Sequence, residues 1–369
     1  FLTIINGTLT SVLQTRLQMH WASFATVIGK FAGVAFMIYV VFFGYPNDTL
    51  TGFYMLMFAG VIGAAVNLIY TSYLVKKITP VRYQFNFQLW KEVLIKALPY
   101  GIALILNTIY FRIDSLLISF MRGQEEVGIY GVAMKMLEHF AVIPLYFMNS
   151  VLPVLTKAIK EKSEKYKDII RYSFDFLAAL SVPMVVGGVI LAYPIIFIVS
   201  TPDFLSRLSE GFFGSDIAFQ ILIFALLFQF INVLFAFILI AVNQQTKLLY
   251  INAVCVIFNL VSNFFIIPEY GFRGAAFTSV LSEMLILVLT FITARHYLKF
   301  KINILNIFKI AFSAGVMAVV VKLLQAPTYA YLENWNIFLL VAIGAAVYIA
   351  MLFITKTVNK EMLAILKRR

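Results

Sequence analysis

Arg112 and Asp114 lie two residues apart in one apolar run, and Lys135 and Glu138 lie three apart in the next. Only a short polar turn, Arg122–Glu126, separates the two runs. Charge in sequence this apolar is costly in a bilayer and is kept where it meets a partner or a water-filled path. Arginine grips phosphate with a planar two-pronged fork and lysine adds a mobile point charge, so the cations suit an anionic head group. Asp114 and Glu138, with His139 beside them, suit the complementary tasks of pairing with those cations or carrying a coupling ion.

Spacing gives these residues a depth. Asp114 lies ten residues before Gln124 and Lys135 eleven after it. At about 1.5 Å per residue both fall about 15 Å below the turn, near a bilayer midplane, within reach of each other. Lys135 and Glu138 share a helix face, whereas Arg112 and Asp114 face apart. Lys30 lies in an early apolar run, and Glu283 lies beside Ser279 and Ser282 in S-V-L-S-E-M-L-I. The substrate-binding candidates are therefore Arg112, Lys135 and Lys30. The coupling or charge-pair candidates are Asp114, Glu138, His139 and Glu283. The competing account is an internal ion-pair cluster that only fixes packing. Asp175 and Asp216, near span ends, read as interfacial. Asn107, Asn149, Asn232, Asn259 and Asn263 read as helix–helix hydrogen-bonders. Pro144, Pro153, Pro183 and Pro194 read as kinks.

No phosphate-cradling glycine loop, dinucleotide fingerprint or metalloprotease motif is present, and three His with the lone Cys255 cannot build a zinc site. The chain thus calls for no cofactor and no metal, and for transport rather than enzyme chemistry.

The elements that must position these residues follow from composition. Apolar residues make up 62% of the chain and charged residues 12%, against about 45–50% and 25% in soluble domains. The apolar residues come in runs of about 20, enough to cross a hydrocarbon core of about 30 Å. The fold class is an all-α polytopic membrane protein. Spans are expected at 21–43, 53–75, 93–120, 127–155, 172–199, 216–241, 247–267, 274–294, 304–324 and 335–355, ten in all, after a partial span at 1–13. That partial start predicts that the N-terminal part of a longer protein is missing.

Charge tests this topology. Of the 29 Lys and Arg residues, 22 fall in or at the edges of one alternating set of loops and tails, four in or at the edges of the other, and three (Lys30, Arg112, Lys135) deeper within spans. The positive-inside rule makes the rich set cytoplasmic, C-terminus included. The net charge of +12 is mostly this signal, so no nucleic-acid partner is expected. The Lys157–Lys167 run reads as a solvated loop that can touch anionic lipid.

Residues 79–92 mix aromatics and cations between Pro80 and Pro99, the pattern of an amphipathic interfacial linker. A Gln-rich turn with a cation followed by a two-span hairpin occurs at 9–77 and again from 238, an internal repeat offset by about 225 residues. The expected organisation is 1–78 as the remainder of an N-terminal helical lobe, 79–92 as the linker, 93–300 as a C-terminal lobe, and 301–369 as two added helices with a basic tail.

The run F-R-I-D-S-L-L-I-S-F-M-R-G-Q-E-E-V-G-I-Y-G-V-A-M-K-M-L-E at 111–138, followed by I-P-L-Y-F-M-N-S-V-L-P-V-L-T-K at 143–157, resembles Wzx-type polysaccharide flippases. These belong to the multidrug/oligosaccharidyl-lipid/polysaccharide exporter superfamily. Asp114, Gly123, Val127, Gly128, Tyr130, Ala133, Lys135, Pro144 and Pro153 carry the pattern. The resemblance implies a MATE-like two-lobe bundle with extra C-terminal helices and a central cationic cavity lined by Arg112, Lys135 and Lys30. It implies a flippase that moves undecaprenyl-pyrophosphate-linked oligosaccharide across the cell's inner (cytoplasmic) membrane. Proton or sodium coupling and a polysaccharide polymerase partner go with it. The alternatives are a lipid II flippase and a cation-coupled multidrug exporter of the same fold; three cations inside spans speak against the last. A membrane glycosyltransferase would need a large outer loop, and the longest here, about 200–215, is short.

Overall fold

The computed structural model describes residues 1–15, 19–44, 48–79 and 86–357. Their long apolar runs have no water to satisfy backbone groups in a bilayer, and they form helices accordingly. Among the described residues the only β pairing is an isolated bridge, Arg207 to Phe212. The helices are α1 (Leu2–Thr15), α2 (Met19–Phe43), α3 (Thr49–Ile78), α4 (Phe87–Arg122), α5 (Gln124–Phe140), α6 (Val142–Lys160), α7 (Lys165–Ile190), α8 (Ala192–Val199), α9 (Ser215–Ala241), α10 (Gln245–Tyr297), α11 (Ile304–Leu332) and α12 (Asn336–Ile354). Seven helical stretches among the described residues are long and apolar enough to cross a membrane. Two of these, Gln245–Tyr297 and Ile304–Ile354, run 53 and 51 residues. A straight 53-residue helix would reach about 80 Å, far more than one bilayer, and each of the two folds back as a pair of crossings. The chain is a multi-pass membrane protein.

Helix breaks follow from backbone chemistry. The expected span at 127–155 is α5 plus α6, broken at Ala141, and that at 172–199 is α7 plus α8, broken at Leu191. Pro144 and Pro194 each sit three residues past the break, where a missing N–H frees the carbonyl one turn back. Pro153 and Pro183, by contrast, lie inside helices that continue through them. The spans at 247–267 and 274–294 are the arms of α10, which turns sharply at Gly271 (φ 58°, ψ −142°) just after Pro268. Only glycine holds that backbone without strain.

The chain divides into two compact units, Phe1–Pro99 and Tyr100–Arg369. In the first, α2 and α3 form a hairpin whose backbones nearly touch. A methyl group at Gly29 would lie 2.6 Å from the Gly63 carbonyl oxygen, and one at Gly63 would lie 2.8 Å from that of Gly29. The Gly29–Gly33 spacing is the small-xxx-small pattern that lets membrane helices approach. Leu13, Ala22 and Val75 close a small core where α1 joins them. The expected linker lies partly outside the described residues: Pro80, Arg82 and the rest of 80–85. From Phe87 onward its sequence is the start of α4, which runs unbroken through Pro99 to Arg122.

In the second unit α9 is the buried centre. Phe219, Leu222, Leu226, Phe230, Leu234 and Ile238 are at most marginally exposed, and α5, α6, α7, α8 and α10 pack around it. α11 and α12 pack on each other and on α7, where the Tyr348 hydroxyl donates to the Ala179 carbonyl at 2.8 Å. Between α7, α9, α11 and α12 lies an almost wholly apolar cavity of about 560 Å³, lined by residues such as Phe176, Met184, Met317 and Tyr348.

Candidate functional site

α4 and α5 meet at Gly123, whose positive φ of 97° makes a tight reversal. The two helices therefore run side by side, and α4 presents Arg112 and Asp114 on different faces. Arg112 turns toward α5, where its Nη2 lies 3.7 Å from Glu138 Oε1. Lys135 Nζ lies 3.1 Å from the other oxygen, Glu138 Oε2. One carboxylate thus bridges both cations. The trio is open: the side chains of Arg112, Lys135 and Glu138 are 54%, 59% and 38% exposed. His139 turns back on its own helix, its Nδ1 2.6 Å from the Lys135 carbonyl oxygen.

Asp114 goes elsewhere. The pairing with Lys135 that depth allows is not made; neutral donors hold the carboxylate instead. Its Oδ2 accepts from the hydroxyls of Tyr130 at 3.0 Å and Ser279 at 2.6 Å, and its Oδ1 from the Asn263 amide at 2.7 Å. Asn263 also donates to Asn259 Oδ1 at 3.0 Å, and Asn259 to Ser282 Oγ at 3.3 Å. Tyr130 and Asn263 are wholly buried. Asn263 Oδ1 and the buried Thr278 hydroxyl have no hydrogen-bond partner among the described residues.

The two groups share a wall. A cavity of about 390 Å³ is lined by Asp114, Glu138, Gln229, Asn259, Ser279, Ser282 and Glu283 among apolar residues of α5, α6 and α9. Three of its lining residues are carboxylates and none is Lys or Arg. Glu138 is the hinge of the arrangement, touching cations with its oxygens and bordering the acidic cavity. Lys30 lies exposed on α2 of the first unit.

Sequence reasoning missed Tyr130 and Ser279 as partners of Asp114 and Gln229 on the cavity wall; Asn259 and Asn263, expected as helix–helix hydrogen-bonders, do bond to Ser282 on the other arm of α10 and to Asp114 on α4. Their i,i+4 spacing puts both amides on one face of α10, but which helix that face meets is a long-range fact. Asn232 does act as a helix–helix hydrogen-bonder, accepting from Thr290 at 2.8 Å. The side chain of Asn107 lies outside the described residues. Asp175 and Asp216 are buried within the protein, 3% and 4% exposed. Asp216 accepts from the Ser206 amide and hydroxyl at 2.9 and 2.7 Å. Asp175 Oδ2 accepts from Asn306 at 2.6 Å, and its Oδ1 has no partner among the described residues.

A latch closes the same end of the bundle as the Gly123 turn. Glu126 Oε1 accepts from Arg122 Nε at 2.8 Å, and Oε2 from the Phe272 amide at 2.8 Å. Arg122 Nη1 reaches the Pro268 carbonyl at 3.5 Å. Arg273 stacks its guanidinium 3.9 Å from the Phe213 ring centre. The turns after α4, before α9 and within α10 are thereby tied together.

Two family models match this chain: one described as polysaccharide biosynthesis protein over residues 1–159, and MatE over residues 99–265. The two matches overlap at residues 99–159, so residues 1–265 are similar to one or both of these families. Both models cover the run carrying Arg112, Asp114, Lys135 and Glu138. The fold is similar to that of a solved structure, lipid II flippase MurJ in an inward closed conformation, with a TM-score of 0.71 at 14% identity, covering 95% of this chain and 70% of that one. The uncharacterised membrane protein MJ1068 of Methanocaldococcus jannaschii is 30% identical over 226 residues, 58% of this chain. The match spans 42% of that relative's length.

Proposed function

We propose that this protein is a flippase of the exporter superfamily that carries undecaprenyl-pyrophosphate-linked oligosaccharide from the inner to the outer leaflet of the cytoplasmic membrane by alternating access. One observation carries the reading. Two cations from different helices converge within a membrane bundle on a single carboxylate, and all three side chains stay more than a third exposed. Their charge is not sealed inside the protein, so a ligand can reach it. Arg112 and Lys135 hold the diphosphate. The apolar cavity beside α11 and α12 offers a place for the lipid chain. Asp114, Glu138 and Glu283 border a cavity suited to a proton or sodium ion that drives the cycle, and His139 belongs to the same charged stretch of α5. No covalent bond changes. The Lys/Arg-rich loops and the C-terminus are cytoplasmic. Residues 93–300 form the C-terminal lobe and 301–369 its added helices, and a polysaccharide polymerase takes up the product.

A second reading, a lipid II flippase, is kept because the solved transporter of like fold bears that name. Cells lacking the gene test both. Extracted undecaprenyl-pyrophosphate lipids, profiled by mass spectrometry, will show accumulated finished repeat units and loss of surface polysaccharide. Lys135→Ala and Arg112→Ala will fail to restore it. Accumulated lipid II would favour the second reading, and a normal lipid profile with raised drug sensitivity would sink both.

A further inference from the structure

In this arrangement Glu138 occupies the place a substrate phosphate needs. Its two oxygens each take one cation, 3.7 Å from Arg112 and 3.1 Å from Lys135, as the oxygens of a bound phosphate would. The three side chains together carry one net positive charge, so an incoming dianion gains little until the carboxylate leaves. On its other side Glu138 borders the cavity of Asp114 and Glu283. We propose that Glu138 is the resident anion of the Arg112–Lys135 pair: the diphosphate displaces it, and the freed carboxylate joins Asp114 and Glu283 and draws a small cation into that cavity. This rests on the flippase reading, and it supplies the link between substrate and coupling ion which that reading lacks.

The chemistry follows from charge balance. A displaced Glu138 adds a third negative group to a confined space where like charges repel strongly. A proton or a sodium ion relieves that repulsion. The groups around Glu138 are Arg112 and Asp114 from α4, Lys135 and His139 on its own helix, Gln229 from α9, and Glu283 from α10. Asn263 Oδ1, buried beside Asp114 and without a partner among the described residues, is a spare acceptor for such an ion. Anion binding then favours cation binding, and linkage makes the effect reciprocal. The ligand exchange needs only rotation of one glutamate side chain.

The test is calorimetric binding of farnesyl diphosphate to the protein in phosphatidylcholine nanodiscs. Glu138→Gln keeps the shape and removes the competing charge. In choline chloride it will bind the diphosphate about three- to tenfold more tightly than the wild type, the size expected for losing two exposed ion pairs. Wild-type affinity will rise with sodium at fixed pH or with acid at fixed sodium; whichever arm responds identifies the ion. In Glu138→Gln that dependence will flatten, and Glu138→Ala will act in the same direction. Weaker binding in both variants, or an unchanged ion dependence, would overturn the proposal while leaving the anion site intact, provided Lys135→Ala still binds more weakly than wild type. Equal binding by wild type and Lys135→Ala would remove the anion site, and this proposal with it.

Discussion

Asp114 concentrates the polar chemistry of the second unit in one side chain. It ends three hydrogen bonds that come from α5 and from both arms of α10. Removing it leaves the buried Tyr130 hydroxyl and Asn263 amide without an acceptor, at about 1–3 kcal/mol for each stranded group. Asp114→Ala will therefore lower the unfolding temperature in detergent and abolish transport together. Asp114→Asn removes the charge and keeps one acceptor oxygen for Tyr130 and Ser279, while its amide nitrogen faces Asn263, whose amide must flip to accept from it. This variant will fold nearly as well as the wild type, by thermal unfolding, yet lose ion-driven transport in a proteoliposome assay. If Asp114→Asn transports normally, the residue is packing polarity and the coupling role falls. The sequence showed that a charge sat at this depth, because an aspartate amid apolar residues stands out. It did not show the partners: Lys135 was within reach by depth alone, whereas Ser279 lies 165 residues away and no local pattern points to it.

At the scale of elements, two close approaches decide the helix pairs. The Gly29–Gly63 contact holds α2 to α3, and the motif behind it was present in the sequence as G-K-F-A-G. The turn within α10 is subtler. Its second arm begins at Phe272, whose amide has no carbonyl a turn back, and Glu126 from α5 supplies the missing acceptor. That is a helix cap delivered by another helix, and caps are worth about 0.5–2 kcal/mol. Glu126→Ala will cost about that much, read as faster amide hydrogen exchange across residues 268–276. Glu126→Gln, which keeps an acceptor for Phe272 and loses the ion pair with Arg122, will be close to wild type. Gly271→Ala will be worse than either, since it forces a side chain into positive φ and pushes a methyl group against the same carboxylate. Equal exchange in Glu126→Ala and wild type would show that the turn is held by Gly271 and Pro268 alone. Helix existence was legible because apolar length is a local property. The breaks were only half legible: Pro144 and Pro194 stand just past interruptions, while α6 and α7 run straight through Pro153 and Pro183.

For the whole molecule the open physical question is which way it faces. Burial and hydrogen bonding are blind to this, since either leaflet offers the same hydrocarbon. The signal lies in charge: 22 Lys and Arg residues in or at the edges of one alternating set of loops and tails, four in or at the edges of the other. The structure places several of the described ones at helix ends. Lys157 and Lys160 end α6, Arg295 ends α10 and Lys356 follows α12, whereas the loop of Arg207 and the latch of Arg122 and Arg273 lie at the opposite ends of their helices. An anionic inner leaflet attracts lysine and arginine by about 1 kcal/mol each. The arginines of the sparse set also have local partners: Arg122 has Glu126, Arg207 has Glu210 at 3.0 Å, and Arg273 has the Phe213 ring. A fluorescent protein fused after Thr357 will therefore be bright, and alkaline phosphatase fused there inactive. Alkaline phosphatase inserted at Gly211, in the loop of Arg207, will be active. The reverse pattern would invert the topology, place the Lys/Arg-rich ends outside, and with them reverse the direction in which Arg112 and Lys135 could deliver a diphosphate.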